Sequence, residues 1–203
     1  MERIPVASKE TGIPSKELRE KAAILESINC GVVPKAELIL VLAGLKPATD
    51  LSLFKNNENS ESAKKKIIDA GLVYKEIDKA SIQNPNLACL LGVARNMADA
   101  TRVVELLSAM SSDGGEEFGQ LMGFPQTAIE AYAKKRERFG DGDNNNPFVE
   151  RGLPFRFRLS KDNWEQEIKV AEGWTKKIKE IAPDLYRELI SNEHLFPALE
   201  KTK

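Results

Sequence analysis

Lys46, in "GLKPAT", and Arg95-Asn96, just past the apolar run "LACLLGVA", place two cations and an amide in links between elements. In open sheets, ligands collect beyond the carboxyl ends of strands, near helix N-termini whose backbone N–H groups point outward. Lys46, Arg95 and Asn96 are therefore a candidate site for a small anion. The competing reading leaves Lys46 solvated and pairs Arg95 with a nearby carboxylate. A second set lies in "FPQTAIEAYAKKRERF": Gln126, Thr127, Lys134, Lys135, Arg136 and Arg138. At the leading end of a helix in a major groove, Gln126 can make a bidentate contact to adenine, and the cations can hold phosphates. The placement is awkward for that task, since base contacts belong near the helix N-terminus and Glu130 there repels phosphate. Acids at the start of the preceding helix (Asp113, Glu116, Glu117) and cations at the end of this one complement both helix dipoles with no ligand at all.

Other constellations are weaker. Asp141, Asp143 and Asn145 in "DGDNNNPFVE" match the first, third and fifth positions of a calcium loop. Asn146 replaces the glycine and Gly152 the final bidentate Glu, so a solvated, turn-rich linker is the better reading. Arg156 and Arg158 alternate with Phe155 and Phe157; they can grip phosphates in a row or guard an exposed sheet face. Glu116 and Glu117 are adjacent, so on a helix they diverge rather than form an acid/base pair. The single histidine, His194, sits in the C-terminal tail. There is no P-loop, G-x-S-x-G elbow or G-x-G-x-x-G, and no Cys/His cluster. Catalytic residues, metal ligands and cofactors are thus not assigned.

Composition narrows the class further. Lys+Arg 30 against Asp+Glu 31 gives a net charge of −1, so no global field recruits nucleic acid or an anionic membrane. Cys30 and Cys89 stand alone and read as buried thiols in a reducing compartment. "MERIPVASKE" lacks the apolar core of a signal peptide, and the run Leu38 to Ala43 is too short to span a bilayer. A cytoplasmic protein with no membrane association is the expectation.

The elements that must position these residues follow from periodicity and punctuation. Ser15 caps a helix running to about Cys30. Pro34 opens a second helix, 34–43, although its all-round apolar character also suits a buried strand. Strands are expected at "PATDLSLF", 72–77 and 87–94, the last buried on both faces, with helices at 61–70 and 97–110. Gly119, Met122, Gly123, Phe124, Ile129 and Tyr132 have the spacing of two helices packed across a tight turn. "LPFRFRL" (153–159) alternates strictly and reads as a fourth strand. A long helix carries Trp164, Ile168, Ala171, Trp174, Ile178 and Ile181 in register, and Pro183 ends it before a last short helix.

The predicted fold is therefore α+β, or mixed α/β: about four short strands surrounded by helices. A mixed core (1–140), a loop with an added strand (141–159) and a C-terminal helical arm (160–203) make up the chain. The Trp164–Trp174 helix can seat in its own core, a protein partner or a second copy.

"FGQLMGFPQTAIEAY" (118–132) also resembles a segment of the form L-G-R-L-L-G-Y-P-x-C-C-V-x-x-F in archaeal and bacterial proteins of unknown function. Leu121, Gly123, Phe124, Pro125, Ile129 and Tyr132 match; Thr127 and Ala128 replace its two cysteines, so any thiol or metal role of that pair is absent. The resemblance implies no activity.

Together these features predict an intracellular, non-enzymatic domain that binds a partner or small ligand. The alternatives are a DNA-binding regulator using a helix-turn-helix-like unit at 115–138, and an enzyme acting on a small anionic substrate.

Overall fold

The structure is a computed structural model that describes residues 14–55, 60–77, 86–109, 115–139 and 147–191. In chain order its elements are α1 (Lys16–Glu26), α2 (Val32–Leu42), β1 (Ala48–Phe54), α3 (Ser60–Asp69), β2 (Val73–Glu76) and β3 (Leu87–Ala94). There follow α4 (Met97–Ala109), α5 (Gly115–Leu121), α6 (Gln126–Tyr132), α7 (Pro147–Glu150), α8 (Trp164–Ile181) and α9 (Pro183–Ser191). The fold is α+β.

The strands lie in the order β1-β3-β2, with β3 antiparallel to both neighbours. Its unbroken apolar run reflects burial on two faces. Cys89, Leu91 and Val93 enter the larger core with α1, α2, α3, α8 and α9. Ala94 joins Ala48, Ala100, Val103 and Met122 in a smaller core on the α4 side. Gly92 lets α4 come close, for a Cβ there would lie 2.4 Å from the Ala100 carbonyl oxygen.

α2 is a helix, and its residues 38–41 are fully buried. That explains an apolar run with no polar face. α1 ends at Glu26, short of Cys30, because the Ser27 hydroxyl donates to the Ile24 carbonyl and turns Ile28 into the core. Pro34 stands third in α2 rather than first, still inside the turn whose N–H groups have no intrahelical partner.

The expected fourth strand is corrected. Residues 153–159 are extended, with Phe155 and Leu159 buried and Arg156 exposed, but they join no sheet. Among the described residues the segment's β-type pairing is one bridge, Arg138 with Ser160. Alternation marks a half-buried extended chain; it does not supply a ladder partner.

α8 turns Ile168, Ala171, Trp174, Ile178 and Ile181 into the larger core, where Trp174 packs edge-on against Phe155 and Phe157. Trp164 is half-buried against the same core with Arg151 over its ring. The Trp164–Trp174 stripe is therefore spent on the chain's own interior, and Trp174 is not available to a partner or a second copy. No helix among the described residues is long and apolar enough to cross a membrane.

Candidate functional site

The joint at Gly123-Phe124-Pro125 is a corner between two short helices. Gly119 sits at the crossing, where a Cβ would come within 2.8 Å of Ile129 Cγ1. Gly123 takes φ +73 at the bend. Phe124 leaves the bend to touch both cores. Its ring lies 5.2 Å from that of Phe157.

Sequence reasoning placed the end of the second helix at Arg138, and the structure corrects this. α6 stops at Tyr132, and Lys134 adopts φ +60. The cations therefore follow the helix instead of extending it. Tyr132, half exposed, still reaches the first helix: a Cβ on Gly115, at the start of α5, would lie 2.9 Å from its ring.

Beyond α6 the chain meets the extended segment. Phe139 N donates to the Leu159 carbonyl and Lys161 N to that of Glu137, which closes the Arg138–Ser160 bridge. Glu167, buried on α8, fixes this juncture by accepting from Ser160 N at 2.8 Å and Ser160 Oγ at 2.6 Å. A charged acceptor with two donors is a firm anchor. Its consequence is to bring Arg138 and Arg158, twenty positions apart in the chain, to one surface.

That surface is a groove of about 1010 Å³, walled by the start of α5 (Gly115, Glu116, Glu117, Gln120), the end of α6 (Tyr132, Ala133) and the cations Lys134, Lys135, Arg138 and Arg158. Arg158 lies over the Tyr132 ring at 5.5 Å. Both carboxylates are already engaged: Glu116 by Lys135, and Glu117 by Arg102 from α4. Hydrogen bonding to Arg102 holds the Glu117 carboxyl below the ordinary carboxylate range. Across a shared Lys135 lies a smaller groove of about 450 Å³, lined also by Arg136, Glu137, Lys161 and Asp162. There Arg136 bonds Glu130 and Asp162, each at 2.6 Å. The hydrogen bond from Arg136 keeps Glu130 ionised, its pKa lowered.

The other candidate residues are placed differently. Gln126 is exposed, with Nε2 3.4 Å from Glu130 Oε1. Thr127 Oγ1 accepts from Asn163 Nδ2 at 3.0 Å, which ties it to the start of α8. Lys46 is fully buried, its Nζ 2.7 Å from Glu37 Oε1 and facing the rings of Trp174 and Phe124 at 5.4 and 5.8 Å. A solvated anion does not reach it, so Lys46 is withdrawn from the expected site with Arg95 and Asn96. Arg95 is exposed and reaches toward Gly44. Asn96 caps α4: its Oδ1 accepts from Asp99 N, and its Nδ2 donates to Asp99 Oδ2. The calcium-like run 141–146 and His194 lie outside the described residues. Among those described, no group of three or more His, Cys, Asp and Glu side chains is placed to hold a metal ion.

Arg158 is the residue that sequence reasoning did not connect with Lys134, Lys135 and Arg138. The polar face of 153–159 was the available signal; the contact across the chain was not readable. Comparison with protein-family models, with curated proteins and with solved structures finds no match to this chain.

Proposed function

We propose that this chain is a non-enzymatic binding module that takes a small anionic ligand in the groove at the α5–α6 corner. The observation that carries the reading is the convergence of Lys134, Lys135, Arg138 and Arg158 on one groove with two carboxylates, of which Glu116 is paired with Lys135 itself and Glu117 with Arg102 from outside the lining. Cations gathered in a concave site focus the local field even when the whole chain is near neutral. The volume is near the upper end for small-ligand sites. A helix-turn-helix regulator draws less support: α6 spans Gln126–Tyr132 only, and Thr127 is held by Asn163.

Charge reversal tests the proposal. Calorimetric titration with small polyanions at low ionic strength should detect binding that weakens as salt is raised. Arg138→Glu and Arg158→Glu should each abolish it while leaving the far-UV circular dichroism unchanged. Absence of binding at low salt, or binding indifferent to both reversals, would rule out this groove as the site.

A further inference from the structure

Among the described residues, four helices close with the same pair of backbone hydrogen bonds. In α2, Leu45 N reaches the Leu40 carbonyl and Gly44 N that of Val41. In α3 the pairs are Leu72 to Ile67 and Gly71 to Ile68; in α5, Phe124 to Gly119 and Gly123 to Gln120; in α6, Lys135 to Glu130 and Lys134 to Ala131. Each closure needs one residue in the left-handed region. Three times it is glycine, with φ +73, +85 and +73; after α6 it is Lys134, with φ +60. Lys134 is the only non-glycine with positive φ among the described residues. A side chain there crowds the following carbonyl, so lysine costs stability where glycine would not. The one closure that forgoes glycine is the one whose left-handed residue lines the cationic groove.

We infer that Lys134 is a ligand-binding residue kept at a cost to the fold, and that its ligand is the phosphate group of a small phosphorylated molecule. The inference rests on the proposed groove and names the ligand class for it. Phosphate fits the donor set. Arg138 and Arg158 supply planar forks of the kind that match its oxygens in pairs, and Lys134 supplies a compact charge beside Lys135, which Glu116 holds. With Glu117 offset by Arg102 and Glu116 by Lys135, the net positive charge of the lining comes from Lys134, Arg138 and Arg158, and it suits a group carrying more than one negative charge. The Tyr132 ring, half exposed with Arg158 over it, lines the same groove and offers the rest of the molecule an apolar contact.

The test uses the full chain, with inorganic tripolyphosphate, ATP and a short single-stranded oligonucleotide as probes, and reads both Kd and Tm. The wild type should bind tripolyphosphate and ATP. Lys134→Gly should raise Tm by about 2–4 °C and weaken binding about tenfold. Lys134→Ala should weaken binding equally without raising Tm, since it loses the charge but keeps the strained backbone. If Arg138→Ala and Arg158→Ala weaken binding while both Lys134 variants bind as the wild type does, the groove stands and the inference about Lys134 is overturned. A Tm that does not rise in Lys134→Gly overturns the stability cost. If neither tripolyphosphate nor ATP binds, the groove and this inference fall together. Binding of the oligonucleotide alone, with a steep salt dependence, replaces the small phosphate by nucleic acid.

Discussion

Changing Glu37 to Gln should destabilise this protein more than changing Lys46 to Met, although the two residues form one ion pair. The asymmetry follows from where each charge sits: the Lys46 side chain is 0% exposed and that of Glu37 is 26% exposed. In Glu37→Gln the ammonium stays buried, with two aromatic faces, an amide oxygen and the more distant field of Asp50 for company. Breaking a buried pair in this way costs about 3–5 kcal/mol. The rings at 5.4 and 5.8 Å return only about 1–2 kcal/mol, and they do so in the wild type as well. In Lys46→Met the carboxylate left behind still reaches water and keeps the Thr49 hydroxyl at 3.3 Å. Methionine refills the space and suits an aromatic lining, so the loss should be about 1–2 kcal/mol. At about 2–4 °C per kcal/mol for a chain of this size, Glu37→Gln should lower Tm by about 10 °C and Lys46→Met by about 4 °C. The double variant, with both members of the pair neutral, should recover to within about 1 kcal/mol of the wild type. Urea unfolding followed by circular dichroism and by tryptophan fluorescence measures all four corners of the cycle. Equal losses in the single variants, or a double variant showing their simple sum, would refute the claim that burial of the ammonium controls the energetics.

Gly92→Ala should destabilise by about 3 kcal/mol, or roughly 6–12 °C in Tm. The new methyl would meet the Ala100 backbone oxygen and Val103 Cβ, at 2.4 and 3.0 Å, and backbone cannot swing aside; a change within experimental error in thermal unfolding would contradict the close approach of α4. Asp50 has its pKa raised, first by burial and then by Glu37. Its folded state thus holds a proton more tightly than its unfolded state, and stability falls as pH rises from about 3.8 through the raised value. Asp50→Asn should raise Tm at neutral pH and lose that advantage in acid below about 3.8; thermal melts across pH that run parallel for the two proteins would contradict this.

The features legible in the sequence were those whose cause is local. Gly119 and Gly123 signal a close crossing and a left-handed bend because only glycine meets both needs cheaply. β3 was legible because burial on two faces leaves no polar alternation, and α8 because its stripe repeats at helical spacing. The missed features depend on partners distant in sequence. Lys46 beside Pro47 looks like a solvated loop lysine; its counter-charge stands nine positions earlier on α2. The end of α6 was misplaced because its left-handed residue is a lysine in a basic run, with no glycine to mark the stop. Phe155-Arg156-Phe157-Arg158 alternates as a strand does, but the backbone opposite belongs to Arg138, and one bridge is all that forms.

The α5–α6 corner joins two demands that usually fall on separate parts of a protein. Its inner side is fixed by packing: a Cβ on Gly123 would lie 3.4 Å from Lys46 Cα and from Pro47 Cδ, and Phe124 lies against Phe157 and Trp174. Its outer side presents Tyr132, Lys134 and Lys135 to the groove. The seven residues of α6 are too few to hold themselves as an isolated helix, so their order derives from that inner packing. Arg138 and Arg158 are positioned independently, through Ser160 and the buried Glu167. The cations thus arrive on two rigid supports, one anchored at Phe124 and the other at Glu167. Such pre-organisation reduces the ordering cost of binding. It also separates the two supports experimentally: loosening the Phe124 anchor should displace Lys134 and Lys135, whereas loosening the Glu167 anchor should displace Arg138 and Arg158.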